Sequence, residues 1–215
     1  MNNDNFLHLW PSIVARFENP NHNEIKGGLL DFFKEVRSKN PVGRKSYENK
    51  KLYESTYDMH SKNNIFYQEL IKFFQTCFLK SSLYSFNTTV KNKKLNADDK
   101  FKVSITNSWF IEYEKGGSVL PHTHGNCSWC CVYYVQIDDS SIDESGNTYF
   151  VKPFSHNNLD DFGSFSYNSF TSFSHKPKEG QLLIWPSYLV HGSVASSADN
   201  NKRIIVSANS KIFKI

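Results

Sequence analysis

The chain has 215 residues and a formal net charge of +4, from Lys+Arg 25 against Asp+Glu 21. With Phe 18 and Tyr 11 it carries enough apolar bulk for one sizeable core without disulfide or metal staples, which excludes disorder throughout. The mild basic balance is far from the Lys/Arg stripe of a dedicated nucleic-acid binder, and no apolar run approaches the roughly 20 residues of a membrane span.

The expectation is one domain over 1–215, with a helical buttress and connecting segments over 1–100 and a strand-built core over 101–215. The opening Met1-Asn2-Asn3-Asp4-Asn5 lacks the charged and apolar regions of a secretory signal. Of the four cysteines, Cys127, Cys130 and Cys131 crowd into five residues, poor geometry for a disulfide framework. A reducing, cytoplasmic setting follows as the expectation.

Asn21 to Ser38 spaces Ile25, Leu29, Phe32, Phe33 and Val36 near the helical period, with Gly27 and Gly28 weakening its first turn. Lys39 to His60 is polar and irregular. Asn63 to Leu79 gathers Phe66, Leu70, Phe73, Phe74, Cys77 and Phe78 on one face, with Asn63 or Asn64 as the cap. Lys91 to Lys100 reads as a charged loop.

From Phe101 the period changes to two. Val103, Ile105, Asn107, Trp109, Ile111 and Tyr113 alternate with Ser104, Thr106, Ser108, Phe110 and Glu112 until Gly116-Gly117 breaks the run. Trp129 to Ile137, Thr148 to Val151, Gln181 to Trp185 and Arg203 to Phe213 read as further strands. Short strands punctuated by Gly, Pro and Asn, with no helix between them, predict an antiparallel sandwich or barrel. The Ser/Asn/Asp-rich stretch from Asp138 to Gly180, dotted with Phe150, Phe154, Phe162, Phe165, Tyr167, Phe170 and Phe173, reads as irregular strands and long loops around a mouth.

Pro121-His122-Thr123-His124-Gly125 is the densest chemical signal. Two histidines one residue apart on an extended segment point to the same side, and each offers a neutral imidazole to one cation. His191, just past the strand ending at Trp185-Pro186-Ser187, is the third candidate. Three ligands on one face leave positions open for small molecules, as a catalytic metal requires. On the last strand Arg203, Ile205, Ser207 and Asn209 share a face, with Ile204, Val206 and Ala208 opposite as core. An inward guanidinium is costly unless it meets an anion, and a carboxylate satisfies it.

Other readings stand beside this one. Cys127-Ser128-Trp129-Cys130 opens a strand rather than a helix, which argues against a thioredoxin-type redox pair. With His122 and His124 the two cysteines could fill a tetrahedral zinc site, leaving His191 and Arg203 without roles. Packing of Cys130 or Cys131 as a small hydrophobe is the plainer alternative. Trp109, Trp129 and Trp185 read as core or pocket wall. His8, His22, His60, His156 and His175 read as surface residues, and Asp138 and Asp139 as loop caps.

These residues in this order resemble the Fe(II)/2-oxoglutarate-dependent oxygenases, and within them a small phage and bacterial group akin to prolyl hydroxylases. The matching stretches are Ser108-Trp109-Phe110, Lys115-Gly116, Pro121 to His124, Ser128, Val132-Tyr133-Tyr134-Val135, Gly180 to His191 and Arg203 to Asn209, with Leu9-Trp10-Pro11-Ser12 at the start. The resemblance implies a mainly β fold with N-terminal helices around a double-stranded β-helix (jelly-roll, cupin-like) core. It implies a dioxygenase, a hydroxylase of unnamed substrate, that uses Fe(II), 2-oxoglutarate and O2. His122, His124 and His191 match the metal ligands, and Arg203 the residue that binds the distal carboxylate of 2-oxoglutarate. Tyr134 matches a tyrosine on that carboxylate, and Tyr113 one lining the co-substrate pocket. Two positions depart from the pattern: His124 stands where most relatives have Asp or Glu, and Ile205 where many have Ser. A third neutral ligand raises the net charge of the site by one. A small-molecule or peptide substrate fits the family, with neither a membrane nor a nucleic-acid motif implied. The second reading is a non-catalytic β-barrel binding or assembly protein whose pocket is empty or holds zinc.

Overall fold

The computed structural model describes residues 12–44, 51–89, 95–137, 144–153, 171–197 and 203–215. Leu9-Trp10-Pro11, His8, His156, Lys91 to Lys94, Asp138, Asp139 and the aromatic residues from Phe154 to Phe170 lie outside the described residues.

Helix α1 spans His22–Lys39 and buries Ile25, Leu29 and Phe33, one side chain per turn. One of its two glycines has a packing reason: a Cβ on Gly28 would stand 2.1 Å from the Phe66 ring, so only glycine admits that ring against the helix backbone, whereas Gly27 faces open space. Helix α2 spans Ile65–Thr89, ten residues beyond the expected end at Leu79. Asn64 caps it, its Oδ1 accepting the Tyr67 amide proton at 3.0 Å. Among the described residues no helix is long and apolar enough to cross a membrane.

Among the described residues ten strands form two antiparallel sheets. They are β1 Ala15–Glu18, β2 Leu52–Glu54, β3 Phe101–Tyr113, β4 Val119–His122, β5 Trp129–Gln136, β6 Thr148–Val151, β7 Ser172–His175, β8 Gln181–Pro186, β9 His191–Ser193 and β10 Arg203–Lys214. The six-stranded sheet runs β1-β8-β5-β10-β3-β2 and the four-stranded sheet β4-β9-β6-β7. Strands β1, β2, β4, β7 and β9, of three or four residues each, are not read from the sequence, whereas the equally short β6 is.

The six-stranded sheet is buried on both faces. One face packs Phe110, Tyr133, Leu182, Ile184, Val206 and Ala208 against Phe33, Tyr67, Phe74 and Phe78 of the helices. The other packs Trp109, Ile111, Tyr113, Val132, Tyr134, Leu183, Trp185 and Ile205 against Val119 and Phe150 of the smaller sheet. The result is a helix layer, a large sheet and a small sheet, a mainly β jelly-roll arrangement.

Two expectations are corrected. Ile105 was expected beside Trp109 and Ile111, yet it joins the helix-side core. The pairing of β3 with β10 slips between Asn209 and Ser210, whose partners are Asn107 and Ile105. Thr106 is thus the extra residue of a bulge, which inverts the alternation before it. His22 was read as a surface residue but is buried at 8% exposure, its Nδ1 2.7 Å from the Tyr133 hydroxyl. It is the first residue of α1, at the end packed on the sheet, and helical periodicity carries no information on that docking.

Candidate active site

Strands β4 and β9 pair antiparallel, with His122 directly opposite His191. Facing residues of such a pair bring their side chains together, and the two ring centroids are 4.4 Å apart. His124 lies two residues on, its amide donating to the Ser187 carbonyl at 3.0 Å, and its ring centroid is 5.0 Å from each of the other two. One coordinating atom from each of the three histidines lies within 4.8 Å of the others.

Each ring is held by its outer nitrogen. Nδ1 of His122 donates to the Leu120 carbonyl at 2.8 Å and Nδ1 of His124 to Asn209 Oδ1 at 2.6 Å, and Nδ1 of His191 lies 2.9 Å from the Leu189 carbonyl. A carbonyl oxygen only accepts, so these contacts place a proton on Nδ1 of His122 and His124, and in the neutral ring the lone pair then lies on Nε2. Trp185 Nε1 donates to His191 Nδ1 at 3.1 Å, so that nitrogen sits between the indole N–H and the Leu189 carbonyl, and the indole also walls the ring.

Nε2 of His122 and Nε2 of His124 face each other at 3.1 Å, and in two neutral rings protonated on Nδ1 these are two lone pairs. Without a cation that contact is repulsive. Two nitrogens bound at right angles to one ion at about 2.1 Å stand about 3.0 Å apart. The residues present thus fit a metal ion on geometry and on proton placement. Burial pushes the pKa of His191 down to about 3 and that of His124 down to about 4, so both rings are neutral near pH 7, as ligation needs.

A cavity of about 50 Å³ lies beside the triad, lined by Trp109, Tyr113, Thr148, Ser193, Arg203 and Ser207 among others. Arg203 is 3% exposed, and its guanidinium lies over the Tyr113 ring, 3.7 Å from the centroid. Nη2 donates to the Gly146 carbonyl at 2.7 Å, while Nε and Nη1 are buried without a hydrogen-bond partner among the described residues. Unpartnered buried guanidinium nitrogens call for an anion. Tyr134 is buried on the same side of the sheet, but its hydroxyl is bonded to Thr148 Oγ1 at 2.7 Å and does not line the cavity. Thr148 presents itself there instead.

Three further residues went unassigned in the sequence. Asn209 orients His124; it shares the Arg203 face, and a polar side chain on a core strand was its signal. Thr148 stands between Tyr134 and the cavity. Gly146 has φ +68°, and a Cβ there would lie 2.7 Å from Arg203 Nε, so the turn before β6 must be glycine for the guanidinium to fit. A second, larger groove of about 1110 Å³ carries none of the triad, yet it shares with the triad's surroundings Phe150, which packs against His191, and Leu189.

Residues 107–209 match the family model described as "Putative 2OG-Fe(II) oxygenase". The match covers just under half of the chain. Oxygenases of this kind depend on Fe(II), with 2-oxoglutarate and O2 as co-substrates, and the matched residues are similar to enzymes of that class. No curated protein matches the sequence. A Pseudomonas putida prolyl-4-hydroxylase is similar in structure, with TM-score 0.55 at 9% identity over 92% of this chain and 91% of that one. A Trichoplax adhaerens prolyl hydroxylase, solved with a hypoxia inducible factor peptide fragment, gives 0.57 at 13% over 92% and 83%. HygX of Streptomyces hygroscopicus, solved with nickel and 2-oxoglutarate, gives 0.53 at 9% over 93% and 82%. At these identities the oxygenase likeness is one of fold.

Proposed function

We propose that this protein is a hydroxylase whose Fe(II) is held by His122, His124 and His191 and whose 2-oxoglutarate is anchored by Arg203. The observation that carries the reading is the pairing, around one cavity, of three convergent imidazole nitrogens with a buried guanidinium that has two nitrogens unpartnered among the described residues.

When bound, the iron would supply activation of O2 coupled to decarboxylation of 2-oxoglutarate to succinate. The chain's own residues supply placement. The carbonyls of Leu120 and Leu189, the amide of Asn209 and the indole of Trp185 hold the three ring angles. Arg203 meets the distal carboxylate, and the Tyr113 face below it holds the guanidinium in place. Trp109, Trp185 and Phe150 wall the triad and keep water out. The cavity has room for about four waters, so the substrate presents its C–H bond from outside, on the half-buried His122 side. The groove along Phe150, Phe173 and Leu189 is wide enough for an extended peptide or a comparable small molecule.

The test is an anaerobic titration of 2-oxoglutarate into Mn(II)-loaded protein, followed by succinate formation with Fe(II) and O2. Absence of binding at millimolar 2-oxoglutarate overturns this reading in favour of a non-catalytic barrel. His124→Asp restores a negative ligand to a site of three neutral ones, so Fe(II) should bind more tightly. Unchanged or weaker binding would remove His124 from the ligand set.

A further inference from the structure

Beyond the triad, the structure holds a second group of convergent ligand atoms. One atom each from His124, Cys127 and Cys130 lies within 4.8 Å of the others, and Sγ of Cys127 stands 3.8 Å from Sγ of Cys130. Two thiolates on a tetrahedral ion at about 2.3 Å stand about 3.8 Å apart, so the sulfurs already have the separation of a coordinated pair.

The segment that carries them is fastened at both ends. His124 N donates to the Ser187 carbonyl, Ser187 N to Ser128, and Ser128 N to Ser210 at 2.8 Å. Asn126, with φ 58°, turns the chain so that Cys127 comes back over the start of β5. Cys130 is fully buried there on the face of Trp109 and Trp185, whereas Cys131 faces the helix-side core. Cys127 is half-buried in the loop, which leaves an ion a way in.

The donor chemistry selects a soft cation. Two thiolates and a neutral imidazole around a divalent ion sum to zero charge, which keeps the cost of burial low, whereas three imidazoles leave the triad at +2. We propose that His124, Cys127 and Cys130 form a second metal site, selective for a soft divalent cation such as zinc. A neutral imidazole has a single lone pair, so His124 serves this site or the triad but not both. Only that exclusion rests on the triad reading.

The experiment uses metal-free, fully reduced protein under anaerobic conditions, with Co(II) alone as the spectroscopic probe. Wild type should develop a thiolate-to-cobalt charge-transfer band and retain one cobalt per chain. Cys127→Ser and Cys130→Ser should lose the band while still binding cobalt through the triad. His124→Ala should keep the band but weaken cobalt there; a ligand costs at least what an outer-shell partner does, roughly tenfold. In wild type alone, one equivalent of Zn(II) should slow alkylation of Cys127, read by peptide mass. No thiolate band in wild type, a band surviving in either cysteine variant, or no zinc protection of Cys127 overturns the site. Two cobalt ions per chain overturns the exclusion alone, and 2-oxoglutarate binding is unaffected by any of these outcomes, so failure here is distinct from failure of the oxygenase reading.

Discussion

Replacing Arg203 by Met separates an anchor for an anion from a structural arginine. The change removes the bond to the Gly146 carbonyl, worth about 1.5–3 kcal/mol for a charged donor. It also removes the guanidinium over Tyr113, about 2 kcal/mol when desolvated. Against that, it removes two buried, unpartnered nitrogens that cost about 1–3 kcal/mol each. The two sides nearly cancel, so the stability of the ligand-free protein should move by no more than about 2 kcal/mol. 2-Oxoglutarate binding should behave otherwise. Losing the charge-assisted bonds to its carboxylate costs about 1.5–3 kcal/mol, one to two decades in affinity. Metal affinity should hold, since Arg203 is not a ligand. Urea unfolding gives the first quantity and titration of 2-oxoglutarate into Mn(II)-loaded protein the second. A stability loss of about 3–5 kcal/mol, the usual result of breaking a buried charge pair, with unchanged 2-oxoglutarate affinity would refute the reasoning.

Gly146→Ala places a Cβ 2.7 Å from Arg203 Nε at a positive φ, so it should weaken 2-oxoglutarate binding and lower the melting temperature while leaving metal binding intact; full retention of 2-oxoglutarate affinity would show that the guanidinium has another way to sit. Asn209→Leu frees Nδ1 of His124 and should weaken metal binding roughly 10–100-fold, as loss of a partner to a ligating histidine does, whereas Mn(II) affinity equal to wild type would count against the orienting role. Burial depresses the folded-state pKa values of His191, His124, His22, His60 and His175 below 6.5. The unfolded chain therefore takes up protons first, so this stability is present above about pH 6.5 and is lost as the pH falls toward the folded values, about 4 for His124 and about 3 for His191. The urea midpoint of metal-free protein should thus be lower at about pH 5.5 than at about pH 7.5, and an equal or higher midpoint would contradict it.

Much of this protein is legible in one dimension. The spacing of Ile25, Leu29 and Phe33, and of Leu70, Phe74 and Cys77, carries both helices, because helix-making contacts are local. The alternation in β10 separates Arg203, Ile205, Ser207 and Asn209 from Ile204, Val206 and Ala208, and the structure buries the two sets on opposite faces. His122-Thr123-His124 declares itself because alternate residues of an extended segment share a side, although β4 itself ends at His122. The rest is long-range. The pairing of His122 with His191 depends on a register between strands of four and three residues. The bulge at Thr106 turns Ile105 to the helices, and only the strand across from it reveals the slip. Likewise Asn209 holds His124 across 85 residues, and Gly146 makes room for Arg203 across 57. These partners meet because two sheets and a helix layer close around one core. Sequence pattern tells which face a side chain takes, but only the packing of sheet on sheet determines which side chain it meets.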